Sequence, residues 1–105
     1  MANIIDKRER NIDLSMTEDG NIIATYNGKQ IGSMSFTKTS GKTIITGVGV
    51  FEESFRCAGI AKEMAKFAAS IYGKKLIDRD YKDYTAEGAK FVDNCLKESI
   101  FEYVN

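Results

Sequence analysis

Between Asn11 and Met16, apolar Ile12, Leu14 and Met16 alternate with polar Asn11, Asp13 and Ser15. This is the two-residue period of a strand with one buried face. Asp19 and Gly20 supply a turn, and residues 21–26 read as a second strand. Asn27 followed by Gly28 is the pair favoured where both central residues of a tight hairpin need positive φ. Residues 29–36 return as a third strand, with Gly32, Met34 and Phe36 on one face. After Ser40 and Gly41, residues 42–51 predict a fourth strand that carries Gly47 and Gly49. Glycine inside a strand weakens it and marks a bulge or the close approach of another group to the backbone.

The period then changes. Ile60, Met64, Phe67, Ala68 and Ile71 recur at steps of three and four, with Lys62, Glu63, Lys66 and Ser70 opposite, which predicts a helix that Gly73 stops. Leu76 and Ile77 read as a short buried fifth strand, and residues 78–83 as a polar loop. Thr85 is placed to cap a second helix whose buried stripe runs through Ala89, Val92 and Leu96 to Ser99 or Ile100. Phe101, Tyr103 and Val104 predict a final edge strand. The expected fold class is α+β: an antiparallel four-strand meander, a central helix, a short fifth strand in a mixed sheet, and a C-terminal helix.

At 105 residues, without proline, repeats or low-complexity stretches, the chain reads as one domain over residues 1–105. Hydrophobic residues at 43% are enough to form a core. Fifteen basic residues balance fifteen acidic ones, so no net field draws in nucleic acid. The dense basic cluster of Lys7, Arg8 and Arg10 is interrupted by Glu9 and preceded by Asp6, and reads as a solvated leader. The absence of His removes imidazole bases, Ser-His and Cys-His machinery and the commonest transition-metal sites, and no metal site is expected. Cys57 and Cys95 are isolated, and no signal-peptide-like or membrane-spanning run is present. The expectation is therefore a soluble protein of the reducing cytoplasm, with free thiols and no membrane partner.

The segment that carries candidate chemistry lies between the glycine-containing strand and the central helix: Arg56, Cys57, Ala58, Gly59, Ile60 and Ala61, an R-x-x-G-x-A pattern. A helix start presents unpaired amides and the positive end of a dipole, which suits a phosphate. Gly59 lacks the Cβ that would obstruct it, Ala61 keeps the first turn slim, and Arg56 adds a charge. A tight turn with no ligand would use the same residues.

With the order of elements added, residues 21–77 resemble the GNAT acyltransferase superfamily, in which a β meander leads through R/Q-x-x-G-x-G/A into a central helix. The resemblance rests on Val48 and Val50, on Phe55 before Arg56, on the Gly59–Ala61 core, on Met64, and on Gly73 before Leu76 and Ile77. It implies that the amides of Arg56 to Ala61 bind the pyrophosphate of acetyl-CoA, and that Val48, Gly49 and Val50 pair with its pantetheine arm. The acceptor would be a primary amine.

The family's acid and base are less well matched. Thr46 stands where a strand carboxylate would be, and the nearest acids are Glu52 and Glu53; Glu53 is the base candidate. Leu96 falls where the family places an acidic Tyr, which leaves Tyr81 and Tyr84 as substitutes, with Tyr84 the acid candidate. The segment preceding the second strand is short for the family, which suits a bulky acceptor such as a protein, or a homodimer that completes the wall. The alternative function is a catalytically inactive GNAT-like domain that binds acyl-CoA or a protein partner in a regulatory or inhibitory role.

Overall fold

The structure, a computed structural model, describes residues 2–105; Met1, the first residue of the expected domain, lies outside them. Five strands form an antiparallel meander in chain order: β1 (Ala2–Ile5), β2 (Asn11–Met16), β3 (Ile22–Tyr26), β4 (Lys29–Thr39) and β5 (Lys42–Val50). A short 3-10 turn at Glu53–Phe55 leads to α1 (Ile60–Tyr72). Then follow β6 (Lys75–Ile77), α2 (Ala86–Lys97) and β7 (Glu102–Tyr103).

The two-residue period decides which sheet face is buried. Ile12, Leu14, Ile22, Ala24 and Met34 are buried on one face, where Met64, Ala65 and Ala68 of α1 meet them. Removing a side chain of Ile, Leu or Met size from water stabilises the fold by about 2 kcal/mol before ordering costs. The hairpin expected at Asn27 and Gly28 forms with φ of 49° and 80°. Gly73 ends α1 with φ of 85°, and Thr85 caps α2 by accepting the Gly88 N–H at 3.0 Å. The far end of α1 is pinned to the β2–β3 turn, where the Tyr72 hydroxyl donates to the Gly20 carbonyl at 2.5 Å.

Two expectations are corrected. The cluster of Lys7, Arg8 and Arg10 is not a leader but the turn between β1 and β2, with Lys7 and Arg8 exposed. Ala2 and Ile4 pack against the core as part of β1, in register with Leu14 and Ile12, and Asp6 in the following turn is buried. Asp6 and Arg10 satisfy one another in that turn, and Arg8 and Arg10 reach the Ser54 carbonyl, which is why the charge density did not mark a loose segment.

The mixed sheet is also corrected. β6 pairs in parallel with β7 as a separate two-stranded sheet, and no ladder joins β6 to β5. The physical reason lies in residues 78–84, which run past β5 with side chains rather than backbone. Tyr84 donates to the Ile45 carbonyl at 2.7 Å and Tyr81 to the Thr46 carbonyl at 3.2 Å. Those phenols take acceptors that a longer β6 would have used.

Candidate functional site

β5 is the edge strand of the large sheet. Its pairing with β4 fixes where its amides point. The Phe51 N–H donates to the Ile31 carbonyl at 2.8 Å, and the register continues as Gly32↔Val50, Ser33↔Gly49 and Met34↔Val48. Antiparallel pairs alternate between bonded and non-bonded, so Gly49 bonds to Ser33 while the N–H groups of Val48 and Val50 point away from β4. On the β4 side the register shifts between Ser35 and Phe36, which leaves Thr46 as an extra, bulged residue. The bulge expected from the glycines therefore sits directly before Gly47. Bulges of this kind end regular pairing and turn an edge outward.

Past β5 the chain makes the 3-10 turn and enters the segment Arg56 to Ala61. Cys57 and Gly59 both have positive φ, 58° and 85°. Gly59 is the N-cap of α1 and offers no side-chain cap. The N–H of Arg56 is used by the Glu53 carbonyl at 3.1 Å, but those of Cys57 through Lys62 have no backbone acceptor among the described residues. Six consecutive donors thus gather around one left-handed turn at the positive end of a helix, an arrangement that concentrates positive potential.

A cavity of about 450 Å³ opens between this segment, the end of β5 and one face of α2. Val50, Phe55, Ile60 and Ala61 form an apolar wall, and Phe91 and Cys95 face them from α2. Lys7, Lys62 and Glu98 carry its charges. The Lys62 ammonium pairs with the Glu98 carboxylate and joins α1 to α2; that hydrogen bond is the main cause that holds the Lys62 pKa above its ordinary value. Cys95 is pushed up to about 11, chiefly by burial, and stays a thiol at neutral pH.

The sequence-derived site residues divide between two places. Val50, Cys57, Gly59, Ile60 and Ala61 line the cavity. Val48 and Gly49 continue the same strand edge, and Ala58 is buried beneath it with its carbonyl engaged by the Lys7 N–H at 3.0 Å. The Arg56 guanidinium turns back and donates through Nε to the Val50 carbonyl at 3.2 Å.

Glu53 is exposed in the 3-10 turn, outside the cavity lining. Glu52 is held by an ion pair with Lys29. Tyr84 lines a second cavity, of about 270 Å³, on the other side of α2, together with Tyr81, Asp93 and Leu96. Burial first, with the neighbouring Tyr81 adding to it, raises the Tyr84 pKa to about 12.

Sequence reasoning passed over Lys7, Phe91 and the Lys62–Glu98 pair. Lys7 lies in the turn read as a leader, and Phe91 sits one step beside the predicted stripe of α2. The Lys62–Glu98 pair joins residues far apart in the chain, which leaves no local signal. The alternation of Ala2 and Ile4 was the available clue to β1 and therefore to Lys7.

No family model and no curated protein matches the chain. No helix of the described residues is long and apolar enough to cross a membrane.

Proposed function

We propose that this chain is a compact acetyl-CoA-dependent N-acetyltransferase of the GNAT type, acting on a primary amine. The observation that carries the reading is the continuity of unpaired backbone donors: the outward amides of Val48 and Val50 on the β5 edge lead to the free amides of Cys57 to Lys62. An extended pantetheine arm needs an open strand edge, and a diphosphate needs clustered donors. The absence of a ladder between β5 and β6 supports the fit, because it leaves the edge open beyond the tyrosine contacts.

Acetyl-CoA supplies the activated thioester. The chain's own contribution is to hold the thioester beside the amine, which replaces a large entropic cost. The outward strand amides polarise the carbonyl where negative charge develops. Glu53, the exposed acid of the 3-10 turn after β5, makes no ion pair among the described residues and accepts the amine proton directly or through water. Meanwhile the C–S bond breaks, and the coenzyme A thiolate leaves and takes up a proton from solvent. Tyr84 remains protonated at neutral pH, and its proton is already directed to the Ile45 carbonyl.

One observation favours a second reading, a GNAT-like domain that binds acyl-CoA without turnover. The cavity lining holds no tyrosine, and its one carboxylate, Glu98, is bound to Lys62. Calorimetric titration with acetyl-CoA and thiol release with an amine panel separate the two. Binding with amine-dependent thiol release supports the transferase, binding without release supports the inactive domain, and no binding removes both. Gly59→Trp fills the amide cluster and is expected to abolish binding by a protein that otherwise binds.

A further inference from the structure

The turn that joins β1 to β2 is organised around a single carboxylate. The Asp6 side chain is fully buried. It accepts the Arg8 N–H at 3.0 Å, the Arg10 N–H at 2.9 Å and Arg10 Nε at 2.8 Å. A carboxylate is costly to bury unless its lone pairs are filled in this way, so the turn has one well-defined shape. That shape is docked on the loop between β5 and α1. Arg10 Nη2 donates to the Ser54 carbonyl at 2.9 Å, with its guanidinium carbon 3.9 Å from the Phe55 ring centroid. Arg8 reaches the same carbonyl.

The docking places Lys7. Its N–H is fixed on the Ala58 carbonyl at 3.0 Å, and its aliphatic chain lies along Gly59, with Cε 3.4 Å and Cγ 3.7 Å from where a Cβ would project. The exposed ammonium is one bond beyond Cε, and Lys7 lines the cavity together with Gly59, Ile60 and Ala61. The neighbouring cations are committed elsewhere. Lys62 is paired with Glu98, and Arg56 bonds the Val50 carbonyl. Lys7 makes no ion pair among the described residues.

We propose that Lys7 is a phosphate-binding residue, a clamp carried by the β1–β2 turn that closes on a diphosphate held by the amides of Cys57 to Lys62. This rests on the acyl-CoA reading for the ligand's identity, but the clamp recognises the diphosphate itself. An ammonium on a flexible stem acts as a point charge toward phosphate, and the buried Asp6 acts as a positioning residue by fixing where that stem begins. Gly59 then has two roles: it adopts the positive φ of the N-cap, and it leaves room for the lysine chain across it.

The test is calorimetric titration of wild type, Lys7→Gln, Lys7→Met and Lys7→Arg with coenzyme A and with inorganic pyrophosphate, alongside thermal melts. Loss of the ammonium is expected to weaken both ligands about tenfold, the effect of one charge-assisted hydrogen bond at a partly solvated site, while Lys7→Arg keeps most of the affinity. Melting temperatures are expected to stay close to wild type, and the two neutral variants guard against one of them misfolding. Pyrophosphate binding that depends on Lys7, without coenzyme A binding, leaves the clamp standing and removes the acyl-CoA reading. Coenzyme A binding equal in wild type, Lys7→Gln and Lys7→Met overturns the clamp and leaves that reading intact. A wild type that binds neither overturns both.

Discussion

The phenol of Tyr84 donates a 2.7 Å hydrogen bond to the carbonyl oxygen of Ile45, across the edge of the large sheet. With Tyr81 on Thr46 it fills two carbonyl acceptors in the first half of that edge, upstream of the outward amides of Val48 and Val50. Tyr84→Phe removes this bond and leaves a part-buried carbonyl without its donor. A loss of roughly 1–2 kcal/mol of stability is expected, read by denaturant unfolding. If Tyr84 also serves as the proton donor, thiol release falls much further than that stability change explains.

The alkaline side of the stability profile follows from the same residue and from Cys95. Burial raises Tyr84 from 10.0 to about 12 and Cys95 from 9.0 to about 11. For a raised pKa the stabilising contribution is complete below the unfolded value and is lost as pH rises toward the folded one. Stability is expected to decline first as pH passes 9.0, the ordinary value for the Cys95 thiol, and further above 10.0, that for the Tyr84 phenol. Cys95→Ala is expected to flatten the first part and Tyr84→Phe the second, as followed by chemical denaturation at several pH values.

Asp6 acts on the acid side. Burial by itself would raise its pKa, but the hydrogen bonds from Arg10 and Arg8 outweigh that, and the net shift is downward from 3.8. The contribution is present above the unfolded value and disappears as pH falls through the folded one. Asp6→Asn is expected to destabilise the protein by about 2 kcal/mol at neutral pH and to reduce the slope of stability against pH below the unfolded value. An unchanged acid limb in that variant would show that the turn is not organised by this carboxylate.

Gly32 is required by close packing against neighbouring backbone. A Cβ there would stand 3.0 Å from the Gly49 carbonyl oxygen and 3.3 Å from Met64 Cε. Met64 can shift, but the carbonyl belongs to the strand ladder. Gly32→Ala is expected to cost roughly 1–3 kcal/mol through overpacking. Because the strain falls on β5 beside Val48 and Val50, coenzyme A affinity is expected to drop as well. By contrast a Cβ at Gly47 would meet only Ser35 at 3.8 Å, and Gly47→Ala is expected to be mild in both measurements.

What could be read from the sequence was what local chemistry determines. The alternation from Asn11 to Met16, the Asn27–Gly28 turn, the Gly73 stop and the Thr85 cap all form as their residue types dictate. The third strand runs on to Thr39, and α2 stops at Lys97, before the predicted stripe ends. The strand at Ala2–Ile5 was obscured because charge density beside it suggested solvent, whereas Asp6 and Arg10 satisfy one another within the fold. The pairing of β6 with β7, the tyrosine contacts on β5 and the placement of Lys7 over Gly59 depend on residues distant in the chain, and no local pattern encodes them. The apolar wall was legible at Ile60 through the helix period and at Ala61 through the R-x-x-G-x-A pattern, but the opposing wall at Phe91 depends on how α2 is set against α1.

The central claim is that the outward amides of β5 and the first amides of α1 receive one ligand. The direct measurement is an amide-resolved nuclear magnetic resonance titration with coenzyme A. The account predicts the largest shifts at Val48, Val50, Cys57, Gly59, Ile60 and Ala61, with little change at Tyr81 and Asp93 beside the second cavity. Saturating coenzyme A that leaves those six amides unmoved, or that moves only residues around the second cavity, would contradict it.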